Sequence, residues 1–355
     1  MNVRLFTPGP VPVHPSVLAA AAQQPLSHRQ RQFEELMAQL QTRLHWLFHT
    51  ASPVVVLTCS ATGAHEAVAR MLHLPGSEAV VCIHGRFGAR WAAMLERFGV
   101  GVHRVESAWG ENIALDQVEA VLADAPQARS LWVVHAETST GVLAPLEEIA
   151  QRARRLQPSI VICADVVSSL GVEPMLMDRW GVDVAIASSQ KGVGGLPGLA
   201  LVALSERAQQ AMIEPAPTLY FDLRAAVDAA KRQSTPFTPA VPLVVALAAA
   251  LELVEQEGLP SRWERFAGDA AYLRARLQAA GYQLFGESSA HAVTVVQVPP
   301  SVPAIVEVLE ERYGFVVARG QEHYRSRVFR IGHCGWYQRQ DLVALADALT
   351  AVYSR

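Results

Sequence analysis

The sequence lacks the marks of a nucleic-acid or membrane protein. Basic residues are not in excess. Thirty Lys and Arg stand against 33 Asp and Glu, a net charge of −3, which leaves no electrostatic footprint for nucleic acid or an anionic lipid surface. The densest basic cluster, Arg152, Arg154 and Arg155, reads as the solvated face of an ordinary helix. Cysteine is scarce. Cys59, Cys82, Cys163 and Cys334 lie far apart with no C-x-x-C pair. That excludes the usual zinc patterns and a disulfide framework, and it suits a reducing, cytoplasmic setting. No metal site is expected. The first eight residues show neither the apolar core nor the cleavage site of a signal peptide, and Tyr353-Ser354-Arg355 carries no peroxisomal address. Long apolar runs are missing too. The best candidate, 241–254, contains Pro242 and Glu252 and falls short of the roughly 20 residues a bilayer span needs. There is no G-x-G-x-x-G, which argues against a dinucleotide site. No internal repeat or low-complexity tract is visible.

What is present suits a large core. The chain has 355 residues, of which 51% are hydrophobic and 18% charged, enough for one large unit and a smaller one. Proline-rich residues 1–15 exclude helix and inner strand, so an extended arm lying on something else is expected. From Pro53 onward, short apolar strands alternate with helical periodicity. Strands are expected at 54–57, 79–83, 100–105, 131–134, 160–164, 182–187 and 199–204, and helices at 30–49, 64–74, 89–98, 115–122 and 145–156. Nearly continuous apolar strands with helical crossovers predict an α/β fold, a mostly parallel sheet covered on both faces. Such sheets bind ligands outside the carboxyl ends of their strands. After 204 the character changes. A long helix at 241–256 leads to a smaller α+β unit with strands near 282–285, 292–298, 315–318 and 328–331. The expected division is an arm at 1–15, a large unit at 16–240, a connecting helix at 241–258 and a small unit at 259–355.

Six stretches carry chemistry. Lys191 follows the apolar run Val182-Asp183-Val184-Ala185-Ile186-Ala187 and precedes the glycine-rich 192–198. A lysine there is either an ordinary solvated one or a desolvated one, and desolvation favours the nucleophilic neutral amine. Asp165 ends another apolar run, Ser159 to Ala164. A lysine and a carboxylate at two strand ends of one sheet fit pyridoxal phosphate: the lysine holds the aldehyde and the acid keeps the ring nitrogen protonated. Ser60-Ala61-Thr62-Gly63-Ala64-His65-Glu66-Ala67 is either a phosphate cradle at a helix start or a plain capped turn. Phe87, between Gly85 and Gly88, is placed to stack on a flat ring or to cap the core. Glu137-Thr138-Ser139-Thr140-Gly141 offers hydroxyls to a ligand or to its own turn. Arg330 lies inside an apolar strand, where it needs an anion: a substrate carboxylate or an internal partner.

Taken in order, Thr7-Pro8-Gly9-Pro10, Ser60-Ala61-Thr62-Gly63-Ala64-x-Glu66-Ala67, Glu137-Thr138-Ser139-Thr140-Gly141, Asp165-x-Val167-Ser168-Ser169-Leu170-Gly171, Ser188-Ser189-Gln190-Lys191-Gly192 and Arg330-Ile331-Gly332-His333 resemble the class V aminotransferases of fold type I, specifically the alanine–glyoxylate and serine–pyruvate group. The resemblance covers essentially the whole chain. It implies a pyridoxal phosphate enzyme acting by ping-pong transamination on an amino acid and a 2-keto acid, as a homodimer with shared active sites. It implies Lys191 as the Schiff-base lysine and general base and Asp165 as the ring-nitrogen partner. Val167 and Phe87 would cover the two ring faces, and Thr138 would sit near the phenolic oxygen. Thr62, Gly63 and Ala64, with Gln190 nearby, would cradle the phosphate. Thr235 and Thr238 would reach it from the neighbouring subunit, and Arg330 would bind the substrate carboxylate. Ala61 and the pair Ser188-Ser189 place a Cβ where relatives have glycine, which predicts altered loop geometry. Three rivals stand beside this reading: a transaminase for aspartate or an aminophosphonate, a lyase or desulfurase on the same cofactor, and a catalytically silent subunit of the same fold.

Overall fold

The computed structural model describes residues 3–287 and 290–353. Seven strands form its main sheet: β1 Val54–Leu57, β2 Glu78–Ile83, β3 Gly101–Glu106, β4 Ala128–Val134, β5 Val161–Asp165, β6 Val184–Ser188 and β7 Ala200–Leu204. Their order across the sheet is β1-β7-β6-β5-β4-β2-β3. From β6 to β3 every pairing is parallel, whereas β7 runs antiparallel to both β6 and β1. Successive side chains alternate between two apolar layers. Val54, Val80, Ile162 and Ala185 enter one layer, and Val55, Val81, Cys163 and Ile186 enter the other. Both faces are therefore buried, which is why these strands read as unbroken apolar runs.

The reversed β7 matters for the site. Antiparallel neighbours need no helical crossover, so the chain returns from β6 to β7 through the single loop that holds Lys191. Strand direction leaves no trace in apolar periodicity, and the sequence offers no sign of the reversal.

A three-stranded antiparallel sheet lies toward the C-terminus, with Val328–Gly332 between Val293–Gln297 and Ala318–Arg319. Helices Leu259–Ala279, Ile305–Tyr313 and Arg339–Tyr353 share its apolar core. Two expectations need correction here. The segment 282–285 makes only the bridge Leu284–Val296. The run 315–318 splits, because Phe315–Val316 turns away to pair with Arg4–Leu5.

That pairing anchors the arm. Phe6 is buried in the C-terminal core, and the backbone then crosses to the main sheet, where Val11 N donates to Gln190 O at 3.3 Å. Helix Pro15–Ala21 follows and packs on helix Val241–Glu257. It was not anticipated, being seven residues long with proline at its first position, where proline is tolerated. Two further helices start earlier than expected, at Ala61 and Arg86, so Thr62-Gly63 and Phe87 fall in first helical turns. Among the described residues no helix is long and apolar enough to cross a membrane.

Candidate active site

The strand ends Leu57, Ile83, Val134, Asp165 and Ser188 all point to one edge of the sheet, as the register shows. The lysine loop folds back there through Gly194 N to Lys191 O (2.9 Å) and Gly195 N to Ser189 O (2.7 Å). The Ser188-Ser189 pair, expected to disturb this loop, is accommodated. Ser188 closes β6, and the Ser189 hydroxyl donates to Leu199 O at 3.2 Å, tying the two ends of the loop together. Lys191 Nζ donates to Pro8 O at 2.6 Å, so the N-terminal arm lies directly on the lysine. Gly9 permits this approach: its φ is +136° and a Cβ there would overlap the Lys191 side chain. Burial lowers the Lys191 pKa and the Arg330 charge lowers it further, against opposing effects of Cys334 and Asp165. The shift is toward the neutral amine, the form that covalent chemistry at this nitrogen requires.

Asp165 is buried at the end of β5. Its Oδ1 accepts from Val167 N and its Oδ2 from Trp91 Nε1, each at 2.9 Å, and His65 Nε2 lies 3.3 Å from Oδ2. Phe87 faces the same space, with the Arg90 guanidinium 4.9 Å from its ring centre.

The Glu137–Thr140 patch behaves differently from a ligand site. Glu137 Oε2 accepts from the backbone N–H of Phe87 (2.8 Å) and Gly88 (3.3 Å), while Oε1 accepts from the Ser139 amide and hydroxyl. Thr140 donates to His84 O at 3.2 Å. These groups cap the helix Arg86–Arg97 that carries Phe87. Gly85 sits close against them, since a Cβ there would strike the Glu137 side chain. Burial raises the Glu137 pKa despite its hydrogen bonds. Thr138 contributes its carbonyl to Arg330 Nη1 at 3.3 Å and does not line the cavity.

That cavity, about 140 Å³, is lined by Thr62, Phe87, Asp165, Val167, Gln190 and Lys191 together with Ser60, Ala61, Arg90, Trp91, Val134, Ala136 and Ser168. A larger cleft, about 610 Å³, between helices Val241–Glu257 and Leu259–Ala279 holds none of the proposed cofactor residues. At the cavity's other end, helix Ala61–Leu72 begins, and the amides of Ala61, Thr62 and Gly63 precede its first internal bond, Ala64 N to Ser60 O. Open amides at a helix start suit a phosphate. Gln190 lines the same cavity, and its buried Oε1 has no hydrogen-bond partner among the described residues. An amine, a carboxylate, an aromatic face and a nest of free amides around one cavity fit pyridoxal phosphate.

Arg330, nearly buried, donates Nε to Arg319 O (2.9 Å) and Nη1 to Thr138 O. Among the described residues no carboxylate pairs with it, and burial pushes its pKa down to about 10. Thr235 and Thr238 are not brought to this chain's own cavity. Thr235 donates to Phe237 O, and Thr238 contacts His28. Among the described residues no cluster of His, Cys, Asp and Glu is suited to a metal ion.

The profile described as Aminotransferase class-V matches residues 16–327. The chain belongs to the class V aminotransferase family. A Synechococcus protein called the small subunit of a soluble hydrogenase is 35% identical over 98% of this chain and 92% of its own length. An L-aspartate–glyoxylate aminotransferase of Paracoccus denitrificans is 32% identical, covering 98% and 89%. The crystal structure of an alanine–glyoxylate aminotransferase from Nostoc superposes with a TM-score of 0.94 at 31% identity, covering 99% and 95%. This class V aminotransferase has the fold type I architecture, takes pyridoxal phosphate as its cofactor and is a transaminase. Sequence reasoning missed Trp91, which donates to Asp165, His65, which lies beside it, Arg90, which covers Phe87, and Pro8, which meets Lys191. A signal was present for Trp91, one helical turn after Phe87.

Proposed function

We propose that the protein moves the amino group of L-alanine or L-serine to glyoxylate or pyruvate by a ping-pong mechanism. The observation that carries this reading is Arg330, a buried guanidinium with no carboxylate partner among the described residues, near enough to Lys191 for its charge to lower that lysine's pKa. A planar fork binds an α-carboxylate bidentately, and one fork serves donor and acceptor in turn. Pyridoxal phosphate, when bound, supplies an aldehyde and an electron-withdrawing ring. The chain does the rest. Asp165 would hold the proton of the ring nitrogen, Val167 and Phe87 would cover the ring, and Thr62, Gly63, Ala64 and Gln190 would hold the phosphate. Lys191 Nζ accepts the proton from the donor's Cα.

The same reading includes a homodimer. Leu219, Tyr220 and Phe237 are exposed beside Thr235 and Thr238, and a second copy covering them would bring these threonines to its own phosphate site. The desulfurase alternative needs a reactive thiolate, whereas Cys334 is buried with its pKa pushed up to about 11.

The test is a donor screen with glyoxylate as acceptor. Pyruvate formed from L-alanine, or hydroxypyruvate from L-serine, faster than oxaloacetate from L-aspartate supports the assignment. An aspartate preference, matching the name of the Paracoccus relative, contradicts it.

A further inference from the structure

We propose that Arg262 is a positioning residue for Lys191: one guanidinium binds the backbone of both the lysine loop and the Asp165 loop, and so fixes where the amine stands relative to the carboxylate. The consequence for the cofactor rests on the aminotransferase reading; the geometry does not. Arg262 lies in the first turn of helix Leu259–Ala279 and is buried. Its Nε donates to Gly171 O at 2.9 Å and its Nη2 to Gly192 O at 2.6 Å. Gly192 directly follows Lys191, and Gly171 closes the segment that begins at Asp165. A buried cation needs a compensating partner. Glu257 supplies it, accepting from Arg262 Nη1 at 2.6 Å. Arg265 Nε donates to the other oxygen of that carboxylate at 2.6 Å. The Arg262 and Arg265 guanidinia lie 5.0 and 4.1 Å from the Phe266 ring centre. A carboxylate and an aromatic ring thus orient the fork before it meets the loops.

The two loops are shaped to share it. A Cβ on Gly192 would overlap Leu170 O, and Gly171, at a φ of +76°, has Gly192 O 3.3 Å from the place its own Cβ would take. The loops therefore meet backbone to backbone, and their two carbonyls converge on one planar group. Within the lysine loop Gly194 N donates to Lys191 O, so displacement of Gly192 carries Lys191 with it. Behind the loop lies the cleft of about 610 Å³, lined by Val193, Gly194 and Arg262 itself. Open space backs the loop on that side, and the fork supplies the support that packing does not. A lysine at 262 would keep the charge but not the fork, because an ammonium is a point donor.

The pH profile of Lys191 alkylation, followed by peptide mass spectrometry on the cofactor-free protein, tests this. Burial is the main cause lowering the Lys191 pKa; Arg330 lowers it further, while Cys334 and Asp165 act the other way. A loop that moves away exposes the amine, and the profile goes to higher pH. Arg262→Met and Arg262→Lys are both expected to show that shift. Arg262→Lys keeps the positive charge, so its shift reports the lost fork. Arg154 is the control: it binds Ile160 O and Asp183, just before β5 and β6, at the opposite end of the same strands. Arg154→Met is expected to lower the urea midpoint and leave the profile in place. A profile that coincides with wild type in either Arg262 variant overturns the proposal, and so does an equal shift in Arg154→Met. Should Arg262→Met not fold, Arg262→Lys decides alone. A second readout is the rate at which pyridoxal phosphate attaches to Lys191, trapped with borohydride. It is expected to fall about 10- to 100-fold in Arg262→Met, the usual cost of a misplaced reacting group; an unchanged rate overturns the proposal. If wild type attaches no cofactor, the aminotransferase reading falls, and the alkylation profile alone judges the clamp.

Discussion

Arg330 acts on Lys191 at a distance, and replacing it exposes that link. Its charge is one of the causes lowering the Lys191 pKa. Arg330→Gln is expected to move the pH profile of Lys191 alkylation, measured on cofactor-free protein, to higher pH. On the proposed role of Arg330 as the substrate-carboxylate fork, the same change should raise KM for the keto acid about 10- to 100-fold. A profile that stays in place would break the proposed coupling. Lys191 and Asp165 were legible in the sequence because each ends an apolar run, the one place where a polar residue meets a cavity at the sheet edge. His65 and Trp91 were not. They sit on helix faces that pack against the sheet, and only the tertiary fold shows that both reach the same carboxylate oxygen.

At the scale of elements, the arm and the helix caps do the positioning. Gly9→Ala would push a methyl group into Lys191 at a φ of +136°, at an expected cost of about 1–3 kcal/mol. The expected result is a lower unfolding midpoint and, as the arm lifts and Lys191 loses burial, a shift of its alkylation profile to higher pH. Glu137→Ala uncaps helix Arg86–Arg97 and frees the amides of Phe87 and Gly88. A loss of about 1–3 kcal/mol in urea unfolding is expected, with weaker cofactor binding as Phe87 loosens. The strands were readable because burial on both faces imposes unbroken apolar runs. Helix starts were not, because residues such as Thr62, Gly63 and Phe87 have weak helix propensity and are held there by the end of the sheet.

Across the whole molecule, burial of neutral histidines governs the response to acid. Burial lowers the pKa of His73, His84 and His135 to about 4 and that of His333 to about 3. The unfolded chain, with ordinary values near 6.5, binds more protons than the native one between these limits. Stability is therefore full above about pH 6.5 and falls as pH drops toward 4, by about 1.4 kcal/mol per pH unit for each extra proton. Urea midpoints across this range should show that slope, and His84→Leu should make it shallower. A flat profile would contradict the burial of these rings as neutral species. The arm was legible as an extended segment, yet its course from Phe315–Val316 across to Lys191 was not, because it depends on contacts more than 180 residues apart along the chain.

The central claim is that Lys191 holds pyridoxal phosphate, and the sequence permits an unusually clean test. The chain has two lysines, Lys191 and Lys231, and Lys231 is exposed on helix Leu223–Lys231 and does not line the cavity. Borohydride reduction of the cofactor-loaded protein, followed by peptide mass spectrometry, should place one phosphopyridoxyl group on Lys191 and leave the Lys231 peptide unmodified. An adduct on Lys231 alone, or none on either lysine, would contradict the account.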